Sequence, residues 1–339
     1  MDLDKIFIKN CSPTKCGGQA VMEGVMMRGA DREAITVRMP DGRMRIKITP
    51  IAKAPKWKKI PIVRGVVAFV VSLISGTKTL LWSADVLEEG LTEEEKAKNE
   101  GDELPAFLVK AFGEKGAWNV MLYSSVILSL IVSVVVFVLG PTWVVNVLKR
   151  VTDSVLLLNL AESLVRVAVF LVYLALISKM NEIKRVFQYH GAEHKTIHCY
   201  ENGLELTPEN ARGFLTLHPR CGTSFLVFTI LIALIVHAFF GWPTLWLRIL
   251  TRLGCLPVIA GLSYELLQWA GRSDNWLVKI LSVPGLATQK ITTKEPDDSM
   301  LEVAIRSLKA VTEPDAPSSF DGYVTVDGTY TPLEAKETA

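Results

Sequence analysis

Long apolar stretches alternate with polar ones along the chain, and this pattern predicts a membrane protein. No Asp, Glu, Lys or Arg occurs between Gly116 and Leu148. About 20 consecutive apolar residues are enough to cross the roughly 30 Å hydrocarbon core of a bilayer. Three further stretches follow the same pattern. The predicted membrane-spanning helices cover residues 118–139, 160–178, 224–242 and 253–270.

The segment 62–84 is apolar, but its charge pattern differs from that of the four predicted spans. Its charge-free part runs only from Gly65 to Thr77, because Arg64 precedes it and Lys78 follows it. A stretch of this length is too short to span a bilayer, so the segment is predicted to be an interfacial or re-entrant helix. Residues 85–117 are rich in Glu and Lys and are predicted to form a polar linker.

The distribution of Lys and Arg predicts the orientation in the membrane. With four spans, the segment before residue 118, the loop 179–223 and the region 271–339 lie on the same side. These regions carry most of the Lys and Arg residues. Because positively charged loops stay in the cytosol, we expect both termini and the loop 179–223 to be cytosolic. The opposite loops carry little beyond Lys149, Arg150, Arg248 and Arg252.

Alternating apolar and polar residues between Glu33 and Thr49 predict a β-hairpin that turns at Pro40-Asp41-Gly42. Because two strands alone are only marginally stable, the hairpin must pack on a further strand or on the membrane-surface helix. Val324–Val326 is a candidate for that strand. The apolar residues expected to match each other across the hairpin are Ile35, Val37 and Met39 on one strand and Met44, Ile46 and Ile48 on the other.

These patterns divide the chain into five regions. Pro296–Ser299 predicts the N-cap of an amphipathic helix at residues 300–311. The tail after this helix is expected to be mostly flexible. The regions are a cytosolic Gly-rich segment with the hairpin (1–61), the interfacial or re-entrant helix (62–84), the polar linker (85–117), the membrane domain with a cytosolic His-rich loop (118–270, loop 179–223), and the cytosolic C-terminal region (271–339).

Composition and charge exclude other classes of protein. Half of the 339 residues are hydrophobic, 21% are charged, and the mean hydropathy is +0.30. These values argue against a disordered chain and against an ordinary soluble globule. A formal net charge of +2 argues against nucleic acid as the main partner. Five cysteines, an odd number, argue against a disulfide scaffold.

Three of the five histidines lie close together after the second predicted span. His190, His194 and His198 recur every four residues, so they share one face of a helix, with Glu193 beside His194. The pattern His-x-x-Glu-His is that of inverted zincins. Two imidazoles one turn apart can bind Zn²⁺, and the adjacent carboxylate can act as general base. The alternative is a polar juxtamembrane helix whose histidines lie at the headgroup level.

Further candidate metal ligands are expected on the same side of the membrane. His218 and Cys221 have a His-x-x-Cys spacing just before the third span, and either can complete a tetrahedral site. Glu265 lies within the fourth span, where an ionisable side chain is costly and usually faces a partner or a cavity. Inverted zincins take a downstream Glu as third ligand. The alternatives are that Cys221 is a small buried residue and that Glu265 pairs with a cation such as Arg166 or Arg185.

Glycines indicate two places where backbones approach closely. Gly191 lies within the predicted histidine helix, where Gly costs roughly 1 kcal/mol relative to Ala. The segment Cys16–Gly29 contains four glycines among Met and Val residues, which favours a tight turn and a crowded strand. Glu23 and Arg28 in this segment are expected to have a structural role.

Several blocks of the sequence resemble a bacterial family of membrane proteins, the YqhQ family. The resemblance extends over about residues 12–311. It implies a multi-pass protein of the bacterial plasma membrane, in a family of unknown function that is usually labelled a predicted metal-dependent enzyme. The matching blocks are Gly17–Gly29, His190–Glu201, His218–Ser224, Glu295–Asp298 and Leu301–Ile305.

The sequence therefore predicts an α-helical polytopic membrane protein with about four spanning helices, one interfacial or re-entrant helix and a small cytosolic α/β region. The leading hypothesis is a zinc-dependent hydrolase at the cytosolic membrane face, acting on a lipid-linked or membrane-peptide substrate, with Glu193 as general base. The alternative is a scaffold, or an insertion or quality-control factor for partner membrane proteins, with a structural metal or none. The candidate ligands are His190, His194, His198, His218, Cys221 and Glu265.

Overall fold

The architecture is mostly helical with one antiparallel β-sheet, as predicted. The structure is a computed structural model that describes residues 14, 16–52, 60–92, 94, 105–241, 243–270 and 275–333. The chain forms two compact units. The first comprises residues 1–90, 174–229 and 257–339, and the second comprises residues 91–173 and 230–256.

The helices of the described residues fall in both units. A π-helical turn, Val135–Leu139, joins the second of them to the third. In chain order the α-helices are α1 (Val63–Glu89), α2 (Ala106–Val134), α3 (Gly140–Asn146), α4 (Val155–Ile177), α5 (Asn181–Glu201), α6 (Pro208–Arg212), α7 (Thr223–Ala238), α8 (Leu245–Gly254), α9 (Leu256–Ala270), α10 (Trp276–Thr292) and α11 (Asp298–Thr312).

The sheet belongs to the first unit and joins the two ends of the chain. Its six strands pair in sequence order, and each neighbouring pair is antiparallel. Strand β5 pairs with β4 through Met44 and Val324, so the predicted partner strand is present but ends at Val324. The strands are β1 (Gly17–Val21), β2 (Gly24–Arg28), β3 (Arg32–Arg38), β4 (Met44–Pro50), β5 (Phe320–Val324) and β6 (Tyr330–Pro332).

Helices cover both faces of the sheet. On one face, Val25 and Ile46 are fully buried in a core with Tyr189 of α5 and Leu301 of α11. On the other face, a smaller core forms around Val86 of α1. Burying an aliphatic side chain stabilises a fold by about 1.5–3 kcal/mol, so the two cores fix α1, α5 and α11 to the sheet.

The predicted hairpin is present as β3 and β4, but its apolar residues are arranged differently from the prediction. Arg38 lies opposite Met44 and Thr36 opposite Ile46. Residues that lie opposite each other point to the same face. The two predicted sets therefore point to opposite faces, and both are apolar because each face carries a core. They are Ile35, Val37 and Met39 towards α1, and Met44, Ile46 and Ile48 towards α5 and α11.

Among the described residues, four helical segments are long and apolar enough to cross a membrane: Val63–Glu89, Gly116–Arg150, Val155–Ile177 and Trp246–Ala270. Two segments differ from the prediction. The segment 62–84 belongs to α1, which continues past Lys78 to Glu89 and so reaches spanning length. The segment 224–242 falls on α7, which ends at Ala238 before the left-handed Gly241, so its apolar part is shorter.

The C-terminal region contains more regular structure than the sequence indicated. Helix α11 covers the predicted helix 300–311, and the Asp297 carboxylate accepts the Met300 amide at 3.0 Å as its N-cap. The tail, expected to be mostly flexible, contains β5 and β6. In the predicted linker 85–117, the first residues continue α1 and the last belong to α2; residues 93 and 95–104 lie outside the described part of the chain.

Candidate metal centre

Helix α5 carries the histidine motif and is buried along its second half. The His190 and His194 rings lie 4.4 Å apart, centroid to centroid. At Gly191 the helix touches the backbone that follows α10: a Cβ there would lie only 2.0 Å from the Lys294 carbonyl oxygen. The Lys294 amide donates to the Phe187 carbonyl at 2.9 Å. The predicted close backbone approach at Gly191 is therefore confirmed.

His190, His194 and Cys221 form one cluster whose ligand atoms all lie within 4.8 Å of one another. Nε2 of His190 lies 3.2 Å from Sγ of Cys221. Nδ1 of His190 lies 2.8 Å from the Thr292 carbonyl oxygen, and Nδ1 of His194 lies 2.5 Å from that of Thr216. A carbonyl can only accept, so each Nδ1 is the donor, and each ring presents its Nε2 lone pair when it is in the neutral form. This tautomer is the one that metal binding through Nε2 requires.

Two buried polar atoms beside this cluster have no hydrogen-bond partner among the described residues: Nε2 of His194 and Oε2 of Glu193. Leaving a buried polar atom unpaired costs about 1–3 kcal/mol, and a bound ion or water molecule would remove that cost. A ring nitrogen of His194 also lies within 4.8 Å of the ligand atoms of Cys221 and His190. The donor set therefore fits a bound metal ion.

Glu193 is buried against the Gly-rich edge strand β1. The Gly18 amide donates to the Glu193 carboxylate. A Cβ at Gly18 would lie 2.8 Å from Oε1 of Glu193, so only glycine leaves room for the carboxylate at this point. The glycine pair at the start of β1 thus helps to position the predicted general base next to the histidines.

The charges of this cluster depend on one another. Burial alone lowers the pKa of His190, but Cys221 and then Glu193 outweigh it and raise that pKa to about 9. Burial raises the pKa of the Cys221 thiol, but His194 and His190 outweigh it and hold that pKa well below its usual range. Burial raises the pKa of Glu193 despite the two histidines. Cys221 is therefore a thiolate, the form that binds metals.

His198, Glu201 and His218 form a second cluster of possible metal ligands. Glu201 already accepts from the Thr14 amide at 2.9 Å and from the Arg220 guanidinium at 2.5 Å, and it lies 3.4 Å from Nε2 of His218. Nε2 of His198 lies 2.9 Å from the Leu217 carbonyl oxygen. Because its carboxylate is already well satisfied, this second cluster resembles a supporting hydrogen-bond network more than the first one does.

Burial decides the protonation of the two histidines in the second cluster. It lowers the pKa of His198 to about 3, with His218 adding to the effect. It also lowers the pKa of His218, although Glu201 opposes the change. The Glu201 pKa is lowered because His218 and Arg220 outweigh the effect of burial. Both imidazoles are therefore neutral at pH 7.

The structure does not bring Glu265 to either cluster. Its carboxylate pairs with the Arg64 guanidinium, with Nε of Arg64 2.7 Å from Oε1, and it accepts the Ile62 amide at 3.2 Å. The predicted alternative of a paired carboxylate fits, but with a different arginine. Arg185 instead pairs with Glu23, which gives Glu23 the structural role expected for it.

Glu201 follows His198 by three residues on the same helical face, and this spacing indicates from the sequence alone that it lies near the histidines. Other groups of the site escaped the sequence analysis. Arg220, which pairs with Glu201, lies between His218 and Cys221. The carbonyls of Thr216 and Thr292 gave no signal, because every residue has a carbonyl and only the fold determines which ones meet a histidine.

Two comparisons with known proteins match the chain. A family model described as "Protein of unknown function (DUF1385)" matches residues 60–314, which include both clusters. The "Uncharacterized protein YqhQ" of Bacillus subtilis (strain 168) is 38% identical over 312 residues, which cover 88% of this chain and 93% of that protein. No solved structure matches the chain.

Proposed function

The chain belongs to the DUF1385 family, whose function is unknown, and we propose that it is a metal-dependent hydrolase that acts at the membrane surface. One observation carries this proposal: His190, His194 and Cys221 converge, and the buried Glu193 carboxylate lies beside them with one oxygen that has no hydrogen-bond partner in the described part of the chain. Three protein ligands leave one tetrahedral position open, which is typical of catalytic rather than structural zinc sites.

The donor set favours zinc, because imidazole and thiolate are the ligands that zinc commonly takes in proteins. A zinc ion held by these residues would supply Lewis-acid chemistry and acidify a water molecule. Glu193 is placed to accept a proton from that water molecule. The Gly18 amide anchors its carboxylate, and Oε2 is the oxygen that would take the proton. The Thr292 and Thr216 carbonyls orient the two imidazoles throughout the reaction.

The segments that share a core support a particular membrane topology. Residues 17–50, 181–212 and 298–324 pack together, so they lie on the same side of the membrane. The chain must cross an even number of times between each of these segments. Three candidate spans separate the first two, so one of them does not cross. Two apolar segments, α7 and the pair α8–α9, separate the last two and cross together.

Helix α1 is the candidate span that does not cross. Its second half packs on the sheet through Trp82 and Val86. Its two ends also stay with the first unit, since Ile62 donates to Glu265 and a Cβ at Gly90 would lie 2.7 Å from Pro40. We therefore propose four crossings with α1 at the interface. The excess of Lys and Arg on the side of the metal centre supports a cytosolic location for that side.

Product analysis with an isosteric variant tests the proposal. Detergent-purified protein is incubated with a total lipid and peptide extract of bacterial membranes, and the products are compared by mass spectrometry. We expect the wild type to generate products that Glu193→Gln does not, while both proteins hold the same amount of metal. Identical products from both would rule out Glu193 as the base. A site with four protein ligands and no turnover would favour the scaffold alternative.

A further inference from the structure

A cavity of about 1220 Å³ lies in the first unit between the first half of α1 and the outer end of the sheet. Ligand pockets usually measure roughly 300–1,000 Å³, so this one can hold more than a small polar metabolite. Its sheet wall includes Gly17, Gly18 and Gln19 of β1 together with Arg28 of β2. Tyr264 and Gln268 of α9 contribute to its rim.

The side of α1 that faces the cavity carries polar and small residues together with two valines, whereas another side is apolar and exposed. Arg64, Ser72 and Ser75 line the cavity. Leu73 and Ile74 are 56% and 51% exposed. An amphipathic helix at a bilayer interface buries such an apolar side among the acyl chains. With α1 at the interface, as proposed above, the cavity would lie at headgroup depth, next to the helix that contacts the lipid.

Two arginines lie on opposite walls, each beside a carboxylate; the partner of Arg28, Glu33, also lines the cavity. Arg28 is paired only loosely, with Nη1 4.0 Å from the Glu33 carboxylate, and its side chain is 39% exposed. Arg64 uses Nε and Nη2 to bind Glu265, which holds its guanidinium at the wall. Arginine is the residue best suited to bidentate recognition of phosphate. The hydroxyl and amide groups of Ser72, Ser75, Tyr264, Gln19 and Gln268 add neutral hydrogen-bonding partners.

The cavity reaches the metal centre at one residue. Gly18 lines the cavity, and the same residue contacts the carboxylate of Glu193. At the adjacent Gly17, a Cβ would meet no atom within 4 Å. A ligand that fills the cavity to this end is therefore separated from the proposed general base, Glu193, by the backbone of strand β1.

We propose that this cavity binds the headgroup of a phosphate-bearing lipid that enters from the bilayer, and that such lipids are the substrate class of the enzyme. The second half of this statement rests on the proposed hydrolase function, whereas lipid binding does not. Arginine hydrogen-bond donors on both walls, an apolar helix side next to the opening and a volume beyond that of a free anion favour a lipid over inorganic phosphate. The two arginines favour it over an uncharged peptide segment.

Lipid binding to the full-length protein in detergent tests the proposal. The probe is fluorescently labelled phosphatidylglycerol, and the competitors are unlabelled phosphatidylglycerol, diacylglycerol, inorganic phosphate and a hydrophobic peptide. We expect only unlabelled phosphatidylglycerol to compete well. Equal competition by diacylglycerol would show that the phosphate is not recognised. Competition by phosphate alone, or by the peptide alone, would assign the cavity to a free anion or to a polypeptide, and each would overturn the proposal.

Variants connect this binding to the cavity. Ser75→Trp fills the cavity and Arg28→Gln removes one charge-assisted contact, so each should weaken binding about tenfold or more. Leu73→Trp, on the exposed side of the same helix, is the matched control and should bind as the wild type does. Wild-type affinity in both Ser75→Trp and Arg28→Gln would place the lipid elsewhere and refute the proposal.

A metal-site variant separates this proposal from the proposed function. His194→Ala should lose metal but keep its affinity for phosphatidylglycerol, because His194 does not line the cavity. If the wild type binds the lipid but shows no hydrolysis, the cavity assignment stands and the enzyme assignment fails. If the wild type hydrolyses a membrane component but does not bind the lipid, the cavity assignment fails alone.

Discussion

Gly191→Ala provides a quantitative test of how α5 is held in place. Alanine favours a helix over glycine by about 1 kcal/mol, so helix propensity alone predicts stabilisation. The structure predicts the reverse. The new Cβ would lie 2.0 Å from the Lys294 carbonyl oxygen, whereas ordinary contact begins at 3.4 Å, so the two backbones must separate by about 1.4 Å.

Separating the two backbones lowers the stability of the fold in two ways. Overpacking of this kind typically costs about 1–3 kcal/mol, and weakening the Lys294 to Phe187 hydrogen bond adds about 1 kcal/mol. After subtraction of the helix-propensity gain, we expect Gly191→Ala to lower the free energy of unfolding by about 1–3 kcal/mol. The shift also pulls the Thr292 carbonyl away from Nδ1 of His190, and loss of such an anchor typically weakens metal affinity about 10–100-fold.

Thermal unfolding in detergent and a zinc titration measure the two effects. Gly222→Ala is the matched control: it lies next to Cys221, and its Cβ would meet no atom within 4 Å. We expect the control to match the wild type in both assays. If Gly191→Ala unfolds at the wild-type temperature or above and binds zinc equally well, the close packing of α5 on the Lys294 backbone is wrong.

Three further predictions concern the elements around the site. Val86→Ala should lower the unfolding temperature because Val86 is buried between α1 and the sheet, whereas Leu80→Ala on the exposed side should not; equal effects would contradict the proposed position of α1. Gly65→Leu should also destabilise the protein, because a Cβ at Gly65 would lie 2.8 Å from the backbone of Gly261 in α9, and an unchanged unfolding temperature would refute this crossing. Since the pKa of His198 is about 3 in the folded protein and about 6.5 when unfolded, the unfolded chain takes up a proton that the folded chain does not, so stability should fall as pH drops below about 6.5. A denaturation series from pH 7 to pH 5 should show a smaller fall in His198→Gln, and an identical fall would exclude this histidine as the cause.

The sequence indicated the histidine helix because its signal is local. A four-residue repeat places His190, His194 and His198 on one face whatever surrounds them, and the flanking apolar stretches identified the membrane segments. Residues of one loop, such as Cys221, were placed near the motif by topology alone. These parts of the site needed no knowledge of the tertiary fold.

Other features depend on contacts between distant parts of the chain, and the sequence did not indicate them. Glu265 was considered as a metal ligand, but its partner is Arg64, 201 residues away. The segment 62–84 was judged too short to span a bilayer because its charge-free part ends at Thr77. Helix α1 continues to Glu89, because the turns after Lys78 have another surface to cover. In α1 those turns cover the sheet.

The hairpin shows a similar limit. Its position was clear from the alternating pattern and the Pro40-Asp41-Gly42 turn, but the faces of its residues were not. A sheet that is covered on both faces has no polar side, so apolar residues on the two strands need not lie on the same side. Only the pairing of Arg38 with Met44 decides it.

The metal content of purified protein is the most direct test of the central claim. Elemental mass spectrometry of the detergent-purified wild type should find about one equivalent of zinc, and His190→Ala, His194→Ala and Cys221→Ala should each lose it while remaining folded. Glu265→Gln, which changes a residue outside the cluster, should retain it. A folded wild type that holds no metal even after zinc is added back, or a His194→Ala variant that keeps its zinc, would contradict the account.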